Sequence, residues 1–175
     1  MTSINERAFN TENITNMGEV FNSCYALTSL DLSSWKTSKV TGMSAMFQYC
    51  IGLVNLNLSG WDISKVRVFT SFFADCYKLE TLNLDGWDFS NAISFSSMFT
   101  RCNNLTNVIG TIKGIKANLD LSSSPLSNDS AMVFINGLET VTTSKTITFK
   151  DSTYNTLTDE QINIATSKGW TISKS

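Results

Sequence analysis

Histidine is absent from these 175 residues. That removes the Ser-His-Asp and Cys-His nucleophile systems, the two-histidine zinc helix and the histidine–carboxylate iron site together. Charge is scarce too. Charged residues make up 16% of the chain, with 13 basic against 15 acidic and a net charge of −2, where about a quarter is usual. There is no basic footprint for nucleic acid and no polybasic segment for an anionic membrane surface. No apolar run approaches the length of a bilayer span, so no membrane insertion is expected. Met1-Thr-Ser-Ile-Asn-Glu-Arg lacks a basic stretch followed by an apolar one, and no signal peptide is visible. The carboxylates are scattered rather than clustered as an acid–base pair. Close cysteine pairs such as Cys-x-x-Cys are missing, so no metal or cofactor is expected. Ser, Thr and Asn are abundant, which makes the surface neutral and rich in hydroxyls and amides.

What the chain has is repetition. Cys24, Cys50, Cys76 and Cys102 each follow the last by 26 residues. Phe21, Phe47, Phe73 and Phe99 keep the same period, as do Leu27, Leu53, Leu79 and Leu105. So do Leu30, Leu56, Leu82 and Val108, then Leu32, Leu58 and Leu84, then Trp35, Trp61 and Trp87. A fixed period in this range marks a solenoid, whose units bury their apolar sides only by stacking on one another.

Within a unit the pattern changes once. Leu30-Asp-Leu32, Leu56-Asn-Leu58 and Leu82-Asn-Leu84 alternate, which predicts a short strand with one buried side. Ser33-Ser, Ser59-Gly and Asp85-Gly then supply turns. Next come Met43, Met46, Phe47 and Cys50, and likewise Phe69, Phe72, Phe73 and Cys76, spaced i, i+3, i+4, i+7. That spacing predicts about two turns of helix. The expected fold is α/β: a leucine-rich-repeat solenoid with a parallel β-sheet on one face and short helices on the other.

Three regions follow from the pattern. Residues 1–16 read as an N-terminal cap or partial repeat, with residues 1–8 lacking the strand pattern and Phe9 in the tryptophan column. Residues 17–118 hold the repeats, and residues 119–175 read as divergent turns that cap the C-terminal end. In that tail, Leu119-Asp-Leu121 reads as a strand. Polar caps precede a helix over Ala131–Leu138, and Thr146–Lys150 alternates as a strand. Thr158-Asp-Glu-Gln161 matches a capping box, opening a helix that stops at Gly169 before a last strand, Trp170–Ile172.

The repeat motif stands here as Met43-Ser-Ala-Met-Phe-Gln-Tyr-Cys-Ile-Gly-Leu-Val-Asn-Leu-Asn-Leu-Ser-Gly-Trp61-Asp-Ile-Ser-Lys-Val66. It resembles the BspA-like leucine-rich repeats of bacterial surface proteins, over about residues 9–108. The resemblance implies exported or surface-displayed proteins of host-associated bacteria, or of their phages, with roles in adhesion and in binding host or neighbouring cells. It carries over no catalytic residue.

The cysteine column reads as core, because stacked side chains about 4.8 Å apart do not meet disulfide geometry. The tryptophan column is either an aromatic platform for sugar rings or packing between units, and its register with the leucines favours packing. Lys36, Lys39, Lys65 and Arg67 form a mildly basic flank. Asp62, Asp85 and Asp88 lack the dense carboxylate loop of a calcium site. The candidate ligand-binding residues face outward from the strands: Ser29, Asp31, Asn55, Asn57, Thr81, Asn83 and Asp85. They either bind glycan hydroxyls and peptide backbone, or simply ladder along the stack and keep it soluble. The expected function is a non-enzymatic module, extracellular or at the cell surface, that binds a protein or glycan on a host or neighbouring cell. A phage virion component for surface recognition or decoration is the alternative. Open ends would also permit end-to-end self-association.

Overall fold

Leu30, Leu56, Leu82 and Val108 each occupy the centre of a three-residue strand and turn inward, while their neighbours face out or sit half-buried. In the computed structural model, which describes residues 9–175, these strands are β1 (Ser29–Asp31), β2 (Asn55–Asn57), β3 (Thr81–Asn83) and β4 (Asn107–Ile109). They pair in parallel, in sequence order, with Ser29 beside Asn55, Asn55 beside Thr81 and Thr81 beside Asn107. A second, three-stranded parallel sheet holds β5 (Leu119–Leu121), β6 (Lys145–Phe149) and β7 (Trp170–Lys174). The helices are few and short: α1 (Asn128–Gly137), α2 (Asp151–Tyr154) and α3 (Asp159–Thr166). The protein is thus α/β with parallel sheets.

The segments predicted as repeat helices are not helices. Residues 17–24, 43–50, 69–76 and 95–102 run largely as consecutive turns. Each carries two residues at positive φ four apart: Glu19 and Ser23, Ala45 and Tyr49, Ser71 and Asp75, Ser97 and Arg101. Alternate N–H groups leave the segment. Ala45, Phe47 and Tyr49 donate to the carbonyls of Thr70, Phe72 and Ala74 in the next unit, at 2.9 to 3.0 Å. Gln48 and Cys50 donate back to Ala45 and Phe47. The reason is spacing. Parallel strands hold successive units about 4.8 Å apart, and an α-helix with its side chains needs about 10 Å. Units stacked at strand spacing throughout have no room for helices, so the backbone flattens into turns that hydrogen-bond to their neighbours. The i, i+3, i+4, i+7 spacing still names the buried face: Met43, Met46, Phe47 and Cys50 are all fully buried.

Between strands and turns lies a core of stacked rings. Trp35, Trp61 and Trp87 lie nearly parallel, with centroids 6.3 and 6.1 Å apart. Phe21, Phe47, Phe73 and Phe99 form a second stack at 5.4, 5.9 and 5.3 Å. Trp61 and Trp87 each donate Nε1–H to a carbonyl of the preceding unit, Leu32 and Leu58, at 2.8 Å. Phe9 packs on Trp35 at 6.0 Å, as its column predicts. The expected absence of a strand over residues 1–8 lies outside the described residues.

At the C-terminal end the two sides exchange roles. The helix α1 takes the place of a fifth strand: the Val108 N–H donates to Ser130 Oγ at 2.8 Å, and the Ser127 N–H donates to Thr106 O. On the turn side, Ser123 Oγ receives the Arg101 N–H at 3.1 Å, and β5 begins the second sheet there. Ser127 caps α1, which starts three residues before the predicted Ala131. The Thr158–Gln161 capping box forms as predicted, and Gly169, at φ +85, ends that helical stretch. The short α2 has no counterpart in the sequence reading.

Ala45 gives a test of the turn geometry. In a helix, Ala45→Gly would cost about 1 kcal/mol. At φ +56 glycine relieves strain of about 1–2 kcal/mol against an entropic loss of about 0.5–1 kcal/mol. Urea unfolding should show the variant equal in stability to the parent or more stable by up to about 1 kcal/mol. A loss of about 1 kcal/mol would restore the helix.

Candidate functional site

The outward residues of β1, β2 and β3 share one open groove of about 310 Å³, floored by Leu30 and Leu56. The structure brings six of the seven candidate residues together there. Ser29, Asn55 and Thr81 form one row; Asp31, Asn57 and Asn83 form the next. Asp85 lies apart, past the end of β3. Its Oδ1 accepts the Thr111 N–H at 2.8 Å and ties its unit to the following one.

The second row has a structural task that the sequence reading missed. Asp31, Asn57 and Asn83 each use Oδ1 to accept the N–H two residues on, from Ser33, Ser59 and Asp85, at 3.0, 3.1 and 2.9 Å. These are Asx turns, which launch the chain out of the strand. Asn16 does the same elsewhere in the stack, taking the Gly18 N–H at 2.8 Å. The signal was in the sequence, since Asp or Asn stands two residues before the turn residues Ser33, Ser59 and Asp85. The Ser33 N–H is also the main cause that holds the Asp31 carboxyl below its usual value. The side chains of the first row, Ser29, Asn55 and Thr81, make no such bond among the described residues.

Two other clusters bound what the chain can do. Cys50, Cys76 and Cys102 are buried and donate S–H to the carbonyls of Phe21, Phe47 and Phe73, each at 3.1 Å. Burial pushes the Cys50 thiol up to about 12 and raises the other two strongly. They are protonated core thiols, not thiolates. Lys113 Nζ stands 3.1 Å from Asp88 Oδ2, so an ammonium occupies one of the three carboxylates that lack a calcium loop, and Asp85 Oδ1 is taken by the Thr111 N–H. Partial burial works against the Asp88 carboxylate, but hydrogen bonds from Ser90 and the charge of Lys113 outweigh it and lower its pKa. Among the described residues no group of three or more His, Cys, Asp or Glu side chains converges.

A patch that the sequence reading did not single out lies on the turn side. Tyr25 and Tyr49 are exposed, and the Tyr77 hydroxyl donates to Asp75 Oδ1 at 2.9 Å. Arg101 Nε pairs with the same buried carboxylate at 2.8 Å. Tyr25 and Tyr77 occupy equivalent places in units two apart, and that recurrence was the available signal.

Residues 2–112 match the family described as Mycoplasma protein of unknown function, DUF285. The chain belongs to that family. The match spans the repeats and stops before the second sheet, at the point where the two sides exchange roles. The family's own description assigns no activity. No curated protein and no solved structure matches the chain.

The buried thiols make a pH prediction. The unfolded thiol ionises near 9, the folded Cys50 near 12. Below pH 9 both states hold the proton and the thiols add no pH dependence. Above it only the unfolded chain loses protons, so stability falls as pH rises, by about 1.4 kcal/mol per thiol per pH unit. Urea unfolding between about pH 8 and 10.5 should show this fall, and Cys76→Ala should make it shallower. An unchanged slope in Cys76→Ala would mean that water reaches this thiol in the folded state.

Proposed function

We propose that this chain is a non-enzymatic binding module: a leucine-rich-repeat solenoid of the BspA-like kind, exported to the cell surface and used for adhesion or recognition of a protein or glycan. One observation carries the reading. Strands in unbroken register display parallel rows of short hydroxyl and amide side chains on an open groove, with every intervening apolar residue turned inward. Such a surface serves binding by many weak, directional hydrogen bonds spread over a long face. The groove itself holds no enclosed acid–base pair of the kind that hydrolysis uses. Self-association is a narrower option than a bare stack would offer, because α1 covers the outer edge of β4.

The test separates the two rows. An array of glycans and extracellular host proteins, probed with the whole chain, identifies the ligand. Asn55→Ala combined with Thr81→Ala leaves the Asx turns intact and should weaken binding at least about 10-fold, with the melting temperature unchanged. Asn57→Ala should instead cost about 1 kcal/mol of stability through its lost turn bond. Undiminished binding in the Asn55/Thr81 double variant would place the ligand off this face.

A further inference from the structure

The stack of turns ends at a cleft. Through β4 the equivalent residues of successive units stand 26 apart, as Asn55, Thr81 and Asn107 do. Past it the hydrogen-bonded partners draw closer in sequence. From Arg101 to Ser123, from Cys102 to Ser124 and from Val108 to Ser130 the separation is 22. The unit is shorter because β5 runs extended where earlier units bend through turns. The shortfall leaves an open cleft of about 500 Å³ between the last turn segment, at Ser94–Ser97, and Asn118, Asp120 and Lys145 of the second sheet.

Two backbone donors without an acceptor among the described residues face that cleft. In the preceding unit the Phe69 and Ser71 N–H groups donate to Ser94 O and Ser96 O, at 3.0 and 2.9 Å. Earlier in the stack, Met17 holds the place of Phe69 and donates to Gly42 O, and Glu19 and Ala45 hold that of Ser71 and donate to Ser44 O and Thr70 O. The Met43 N–H, also in the place of Phe69, has no acceptor among the described residues, so Ser71's place is the one filled in every earlier unit. The counterparts of Phe69 and Ser71 in the last unit are Phe95 and Ser97. Both line the cleft, and neither N–H has a hydrogen-bond acceptor among the described residues. Ser97 keeps φ +55, the conformation its predecessors use to aim this donor at the next unit. The residues that would bring the matching carbonyls are the ones the shortened unit lacks. Donors left over at the end of a ladder are a template for an added chain.

We infer that the cleft binds a short, extended peptide segment of a partner protein, whose carbonyls at alternate positions accept the Phe95 and Ser97 N–H groups. That segment replaces the missing turn. The walls specify small polar side chains: Ser94, Ser96 and Thr146 offer hydroxyls, while Lys145 and Asp120 balance in charge and favour neither a strongly acidic nor a strongly basic peptide. This site is distinct from the strand groove and does not depend on the function proposed for it.

The experiment follows backbone amides by NMR in the whole chain. The probes are end-capped hexapeptides: one reproducing residues 93–98, whose own carbonyls satisfy Phe69 and Ser71, and a panel built from Ser, Thr, Asn and Gly. In the free protein the Phe95 and Ser97 amides should exchange with solvent at least about 10-fold faster than those of Phe69 and Ser71. A bound peptide should shift these two amides saturably and slow their exchange at least about 10-fold. Ser96→Trp fills the cleft from one wall and Thr146→Trp from the other. Either variant that keeps the parent melting temperature should lose the peptide-induced shifts. Equal protection of all four amides in the free protein overturns the proposal. So do shifts produced equally by sodium sulfate, which would mark an anion site, and shifts that grow with protein concentration alone, which would mark a second copy. A panel with no binder overturns it too, as does peptide binding that survives a folded Trp variant. If neither Trp variant folds, the exchange and titration data on the parent chain decide.

Discussion

Parallel strand pairing fixes the rise from one repeat to the next, and that rise governs the rest of the molecule. At about 4.8 Å per unit, a residue meets its own equivalent before it meets anything else. Identical side chains must therefore tolerate one another as neighbours. Flat rings do so by stacking, which accounts for the tryptophan and phenylalanine columns. Cysteine does so as a small apolar group whose S–H reaches the carbonyl of the preceding unit. Charged side chains would stack like on like and repel, and the repeats hold few of them in register. The scarcity of charge and the purity of the columns have the same physical origin.

The rise also decides what happens to backbone polar groups. Every unit buries its turns against the next, and buried N–H groups need acceptors. The turn segments solve this by sending alternate N–H groups across to the following unit, at the cost of two positive-φ residues per segment. Asp31, Asn57 and Asn83 solve it at the strand exits by accepting the N–H two residues on. A polar residue on a repeat surface is thus not a free binding group by default. On the strand groove it is the row of Ser29, Asn55 and Thr81 that makes no such bond among the described residues.

A periodic stack has no internal reason to stop. Here it stops by changing sides. The helix α1 is too thick to be followed at strand spacing, and it covers β4 with a single hydroxyl, Ser130 Oγ, standing in for the next strand. The second sheet grows on the opposite side, and α1 and α3 pack beside each other. The family match ends where this exchange begins, so the repeats and their closure are separable in sequence as they are in structure.

The period of 26, the strand register and the buried residues of the inner units were legible in the sequence, because burial in a stack depends on which residues recur and not on how the backbone turns between them. In the first unit Cys24, which its column assigns to the core with the other cysteines, is only half-buried. Leu30, Leu56 and Leu82 were placed correctly for that reason, and so was the capping box at Thr158, which is a local hydrogen-bond pattern. Whether Met43–Cys50 coils as a helix or flattens into turns was not legible, since the same spacing buries the same face either way. The tertiary structure decided it, through the distance between units. It also decided which polar residues on the groove are spent on the backbone and where the short fifth unit leaves two donors facing a cleft, because both depend on where a neighbouring unit's carbonyls fall in space.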